Sequence, residues 1–228
     1  MNLWDRILQP IKDIREEITL PIKWETLHLH VPMWVKDVDF SKYQGGLLVD
    51  VGCHYGLVSI YFIHQTGGHA HGFDVNPRIL ALLRKNLTHS KYANQFTLHE
   101  YGLSDREGFF PLYRDTQYSG ATTIDPAQVD VAKGMLGLDL RQKDTAHVKR
   151  LDEVKLLGKV SLIKIDCEGS ENRVLLGALH TLQKDCPDVI FEALTEERKL
   201  ECEKTLKGLG YTVKELDSRN YLAMRVIK

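Results

Sequence analysis

The chain has 228 residues, 43% hydrophobic and 27% charged, proportions of a globular domain rather than a disordered one. Its 30 Lys and Arg against 31 Asp and Glu leave a formal charge of -1, so the basic excess of a generic nucleic-acid binder is missing and no nucleic-acid partner is expected. There is no apolar run near the ~20 residues that span a bilayer, no secretion-signal pattern at Met1–Asp5, and no metal-ligand spacing among Cys53, Cys167, Cys186 and Cys202. The expected location is therefore cytoplasmic, with free thiols and no stable membrane insertion.

In chain order, Trp4, Ile7, Leu8, Ile11, Ile14 and Ile18 recur at near-helical spacing around Pro10. They predict a helix packed on the domain, with a lid or dimer contact as the alternative. Leu27–Pro32 alternates like a short strand. Residues 1–44 thus read as an N-terminal extension of helix and strand packed on a core, and 45–228 as the main domain. In that domain Leu47–Val51 is a buried strand, and Leu57–Ile63 is a buried helix closed by Gly67-Gly68. His71–Asp74 ends a second strand, followed by a helix with Asn76 as cap and Pro77 in its first turn. Phe96–His99, Val160–Ile165 and Val189–Phe191 are further strands. A helix burying Val174, Leu175, Ala178, Leu179 and Leu182 follows the second of these, and a charged helix over 196–207 follows the third. Tyr211–Val213 and Tyr221–Met224 close the chain as a strand pair. This alternation predicts an α/β fold with helices on both faces of an open sheet. An insertion at about 109–150 interrupts it; Phe109–Tyr113 reads as a strand, and the aromatic content favours a substrate-shaping role over disorder.

Two motifs carry chemistry. Asp50-Val51-Gly52-Cys53-His54-Tyr55-Gly56 turns from the first strand into a helix, where glycines allow a ligand close to the backbone and free N–H groups meet an anion. Asp74, at the tip of the second strand, is placed to accept the hydroxyls of a ribose. The turn lacks the G-x-G-x-x-G of dinucleotide enzymes, since His54 occupies the middle glycine's place. An acid at position 50 suits a ligand amino group. Carboxylate, ammonium and adenosine together describe S-adenosylmethionine. The second motif, Lys164-Ile165-Asp166-Cys167-Glu168-Gly169-Ser170-Glu171, crowds acids at the end of a buried strand, and Glu192 ends the next strand. Such density calls for cations, donors or substrate.

These residues resemble the FkbM-type family of S-adenosylmethionine-dependent methyltransferases. The resemblance runs from about Leu47 to Glu192. It is carried by Val49–Gly52 with Gly56, Phe73–Pro77, Gly102–Asp105 with Gly108, Arg150–Glu153, and above all Ile163–Glu171 with Val174-Leu175 and Gly177-Ala178. Cys53-His54 stands where the family usually has Ala-Asn, and Gly102 where it has Ala. The resemblance implies a Rossmann-like class I methyltransferase sheet of seven mostly parallel strands with an antiparallel last strand. It also implies O-methylation of a hydroxyl on a sugar, glycan or secondary metabolite. Asp50, Gly52, Cys53, His54, Tyr55, Gly56, Asp74, Tyr101, Gly102 and Asp166 are then the expected cofactor-binding residues. An aliphatic hydroxyl needs a base; the candidates are Asp166, His54, Glu168 and Glu192, with Asp166 first. Glu171, opening the next helix, reads as a structural acid. No resident metal is expected; the alternative is a divalent cation on Asp166, Glu168 and Glu192. The acceptor is a small molecule or glycan, and a homodimer stays open. Rival readings are a non-catalytic binding or partner module on the same fold and a nucleotide-dependent oxidoreductase, the latter lacking a pyrophosphate loop.

Overall fold

The computed structural model describes residues 31–88, 90–115 and 120–225. The helix expected over 4–20 and the first residues of the 27–32 strand lie outside the described residues. Two 3-10 turns, Met33–Asp37 and Phe40–Tyr43, lead into the domain and bury Trp34, Val35, Phe40 and Tyr43. Phe40 meets Tyr61 and Phe62 edge-on, and Tyr43 donates its hydroxyl to Asp188 at 2.7 Å, so this segment is bound to both helix and sheet.

Strand β1 (Leu47–Val51) is followed by α1 (Leu57–Thr66), β2 (His69–Phe73), α2 (Pro77–Thr88) and β3 (Phe96–His99). Asn76 caps α2 as expected, accepting from the Arg78 N–H at 3.1 Å, with Pro77 at the first helical position. The insertion follows: β4 (Gly102–Leu103), β5 (Gly108–Arg114), α3 (Pro126–Leu136) and β6 (Arg141–Lys149). The chain then returns through β7 (Val160–Ile165), α4 (Glu171–Leu176), α5 (Leu179–Asp185), β8 (Asp188–Glu192), α6 (Glu196–Gly208), β9 (Tyr211–Glu215) and β10 (Asn220–Arg225).

The main sheet has seven strands in the order β3-β2-β1-β7-β8-β10-β9, all parallel except β10. The first and second halves of the strand order run outward from the β1/β7 junction, which is where an open α/β sheet leaves a crevice beyond its strand ends. Both faces are covered. Leu48, Ala70 and Leu162 pack against α1 and α2, while Val49, Phe73, Ile163 and Phe191 pack against α4, α5 and α6. That explains why β1 and β7 read as continuous apolar runs.

Two features differ from the sequence reading. The single helix expected after β7 is two, α4 and α5, broken at Gly177-Ala178. Asp152 supplies the reason: its carboxylate accepts from the His180 and Thr181 N–H groups and from the Thr181 hydroxyl, capping a new helix start from a separate segment. The insertion expected at about 109–150 holds a helix and a second strand beyond the expected one, and with the preceding β4 it forms a small three-stranded sheet, β4-β6-β5. It has its own apolar centre of Leu112, Ile124, Ala146 and Val148. Among the described residues, no helix is long and apolar enough to cross a membrane.

Candidate active site

Every site residue named from the sequence lies at or just beyond the carboxyl ends of β1, β2, β3, β7 and β8, or, as Gly102, in short β4 just after β3. At the junction, Gly52 has φ 72°, and a Cβ there would stand 1.8 Å from the Asp166 carbonyl oxygen. The Asp166 N–H in turn donates to Val51 O at 3.0 Å. The glycine is therefore required by the neighbouring segment, a constraint that the close-approach reading did not include. Gly56 is likewise filled from inside, since a Cβ there would meet Leu83 at 2.8 Å. The Cys53 side chain is buried in the core beside Gly72, and its backbone is engaged within the turn, the N–H donating to Phe73 O at 3.0 Å and the carbonyl accepting from the Gly56 N–H at 2.8 Å. His54 adopts φ 49° with its ring edge-on to Tyr55 at 3.9 Å. A left-handed conformation at a non-glycine residue is strained by about 1–2 kcal/mol.

Asp50 sits deeper than expected. It is fully buried, accepts from Ser59 Oγ at 2.6 Å and pairs with Lys164 Nζ at 3.2 Å, its register partner across β1 and β7. It supports the turn from below instead of facing a ligand ammonium. Lys164, also buried, donates to the Gly52 carbonyl at 2.7 Å and reaches Asp166 at 3.4 Å. One ammonium thus holds the turn, the acid beneath it and the acid beside it. A lysine inside an otherwise apolar strand is the sequence signal for this role of Lys164.

Asp74 accepts from the His54 N–H and the Asn76 N–H, both at 2.9 Å, one to each carboxylate oxygen. Burial pushes its pKa up, and those N–H groups oppose the shift. The Val75 N–H also acts on the carboxylate, so backbone donors hold it in place at the tip of β2. Tyr101 stands beyond β3, edge-on to Phe73 and hydrogen-bonded to His99 at 3.1 Å. Gly102 lies against Val75, next to Asp74. These residues form one side of the site.

The other side is acidic. Asp166, Glu168 and Glu192 bring a carboxylate oxygen each within 4.8 Å of one another, a set of oxygen ligands that magnesium or calcium could use. Burial pushes Asp166 up, but the Lys164 ammonium and a hydrogen bond with Glu192 outweigh it and hold its carboxyl below the usual range. Glu192 is driven well above its ordinary value by burial and by the charges of Asp166 and Glu168. Glu168 is raised to about 8, by burial first and then by Asp166 and Glu171, with Arg219 and Gln128 opposing. Close carboxylates cannot all ionise together, so the cluster retains protons at neutral pH. Burial, helped by Lys164, pushes His54 down to about 4, which keeps its ring neutral. Glu171 is structural, as expected: it accepts from the Cys167 and Gly169 N–H groups at 3.0–3.1 Å and fastens the turn that carries Glu168. Arg219, 3.5 Å from Glu192, and Gln128, 3.3 Å from Glu168, escaped the sequence reading because each arrives from a distant segment.

A seven-stranded sheet of this order, with a glycine turn after the first strand and an acid tipping the second, defines the Rossmann-like methyltransferase class. The family model described as "Methyltransferase FkbM domain" matches residues 50–215, and the chain belongs to that S-adenosylmethionine-dependent methyltransferase family. No curated protein matches it in sequence at a significant level. Its fold is similar to that of methyltransferase FkbM from Methylobacillus flagellatus, at a TM-score of 0.59 and 15% identity, covering 96% of this chain and 59% of that one. It is also similar to a precorrin-6y C5,15-methyltransferase from Geobacter metallireducens (0.51, 16%, 92% of both chains). A tRNA methyltransferase of B. subtilis gives 0.50 at 11% identity, covering 87% of this chain and 68% of that one.

Proposed function

We propose that this chain transfers the methyl group of S-adenosylmethionine to a hydroxyl oxygen of a small molecule or glycan, with Glu168 as the proton acceptor. The observation that carries the reading is the pairing, across one strand junction, of a donor-filled acid at Asp74 with a proton-holding acid cluster at Asp166, Glu168 and Glu192. The residues present fit the cofactor. Asp74, held by backbone donors at the tip of β2, is placed to accept from a ribose diol, the first-turn N–H groups of α1 would meet the carboxylate, and the ionised Asp166 suits a sulfonium. When bound, the cofactor supplies an electrophilic methyl group.

What this chain's own residues do follows from their electrostatics. Displacement at a methyl group needs alignment and exclusion of water more than covalent help. The hydroxyl proton must go to a base with a pKa near the working pH. Among the four candidates, Asp166 is held too acidic by Lys164, and His54 is pushed down to about 4. Glu168, raised to about 8, is the best match. Asp166, ionised beside Lys164, is assigned to holding negative charge near the sulfonium. Lys164 and Arg219 already bring positive charge to this rim, so we read it as working without a divalent cation.

The test is transfer of label from methyl-labelled S-adenosylmethionine to a panel of sugars, glycolipids and hydroxylated metabolites, with and without chelator. Transfer that survives EDTA and disappears in Glu168→Gln supports the reading. Transfer abolished by EDTA and restored by magnesium moves the rim to a metal-assisted mechanism. A protein that binds cofactor but modifies nothing, with the rim intact, favours the binding-module alternative.

A further inference from the structure

Glu168 is held from outside its own strand. It has φ 55°, a left-handed conformation that is costly for a residue with a side chain. In that conformation its carbonyl is met by the Thr123 hydroxyl, which donates at 2.7 Å, and its carboxylate by the Gln128 amide, which donates at 3.3 Å. Both donors belong to the insertion. Thr123 is 1% exposed and Gln128 2% exposed, so neither is a chance surface contact. The next residue, Gly169, has no side chain, and a Cβ there would press to 2.9 Å from Gln128 Oε1. Gln128 fills the space that glycine leaves.

The insertion segment is itself anchored at further points. Asn76 Nδ2 donates to the Thr122 hydroxyl at 2.9 Å, beside the ribose-facing Asp74. Asp125, the N-cap of α3, is paired with Arg198 of α6. Thr123 Oγ1 also accepts from the Asp125 N–H at 2.9 Å, so one hydroxyl joins the helix start to the Glu168 turn. These contacts tie the insertion to the segments following β2, β7 and β8.

We propose that Thr123 and Gln128 are positioning residues for Glu168: the insertion, through these two side chains, holds the Glu168 backbone in its left-handed conformation and fixes the direction of its carboxylate. The candidate base is then assembled by two segments about forty residues apart in sequence, and an insertion that shapes the acceptor site also completes its chemistry. This rests on the reading of Glu168 as proton acceptor.

The test uses the full chain and needs no acceptor for its first readout. Isotope-labelled wild type, Thr123→Val, Thr123→Ser and Gln128→Leu are compared by NMR, following the one-bond Cα–Hα coupling, the intraresidue HN–Hα NOE and the carbon shifts of Glu168, which together mark a positive φ. We expect Thr123→Val to lose the left-handed signature and Thr123→Ser to keep it. Gln128→Leu should shift the side-chain carbons of Glu168. Affinity for S-adenosylhomocysteine by calorimetry should stay within about threefold in all of them, while kcat with any acceptor found falls about 10–100-fold in Thr123→Val and Gln128→Leu and KM changes little, the scale for misplacing a reacting group. Should Thr123→Val not fold, Gln128→Asn withdraws the donor by one methylene and gives the side-chain readout. An unchanged Glu168 signature in Thr123→Val and Gln128→Leu overturns the proposal. A signature that moves in a protein that transfers no methyl group upholds the positioning and sinks the catalytic reading it serves.

Discussion

The two sides of the strand-end crevice solve opposite electrostatic problems. On the β1–β2 side, Asp74 is surrounded by backbone N–H donors, and its carboxylate has partners before any ligand arrives. On the β7–β8 side, three acids face one another, offset among the described residues by Lys164, Arg219 and the Gln128 amide, and two of the three are pushed above their ordinary range. A satisfied acid is preorganised to bind; a crowded one is poised to take or give a proton. The difference teaches that similar side chains on one rim can hold their protons differently because different neighbours set their proton affinity.

The junction between the sides offers the largest effect. Gly52→Val should destabilise the whole domain by more than about 4 kcal/mol, since the added side chain must displace the Asp166 carbonyl and occupy a left-handed residue. Circular dichroism and denaturant melts check this; a folded variant that merely loses cofactor would return the glycine to a ligand-facing role. Next comes the acidic side. Glu168→Gln should lower turnover by about 10²–10⁴-fold, the range for an acid–base group, with cofactor affinity within about tenfold. If Asp166→Asn shows that loss and Glu168→Gln does not, the base belongs to Asp166.

The β1–β2 side should respond in binding alone. Asp74→Ala is expected to weaken S-adenosylhomocysteine by about 1.5–3 kcal/mol, the scale of lost charge-assisted hydrogen bonds, measured by calorimetry on folded protein. Equal losses of affinity in Asp74→Ala and Glu168→Gln would erase the distinction between the two sides.

The smallest effect is on stability against pH. Glu168 is raised from 4.5 to about 8 in the folded state, so the fold binds more protons than the unfolded chain between those values. The contribution of Glu168 is therefore fully present below about 4.5 and is lost as pH rises towards 8. Glu168→Gln, neutral at every pH, should raise the melting temperature by about 2–6 °C at pH 8.5 and change it little at pH 5. A melting-temperature gain equal at both values would mean the group is not buried as a shared-proton acid.

Most of the sheet was legible because its strands are short apolar runs bounded by glycine, Asn-Pro or acids, signals that local sterics enforce. Asn76-Pro77 predicts the start of α2, and Thr195 caps α6 with its hydroxyl accepting from the Arg198 N–H. The insertion was harder. The Asp125-Pro126 start of α3 is a readable signal, yet the helix buries few side chains and its apolar stripe is thin. β6 has an exposed, charged first half, Arg141–Thr145, that becomes a strand because β5 pairs with it. The break between α4 and α5 was invisible for the same reason, because Asp152 caps it from another segment.

By itself, the sequence determined the seven-stranded frame, the family and the acids that gather at its rim. The strands follow from periodicity and turn residues, and the family from the resemblance that the local motifs carry. Only the tertiary structure decided what surrounds each acid. It put Asp50 beneath the turn with Ser59 and Lys164, gave Asp74 its N–H donors, and left Glu168 among carboxylates and under the insertion. Proton affinity depends on burial and on charges within a few ångströms, and those neighbours come from residues as far as 114 positions away, so it could be settled only after the chain had folded.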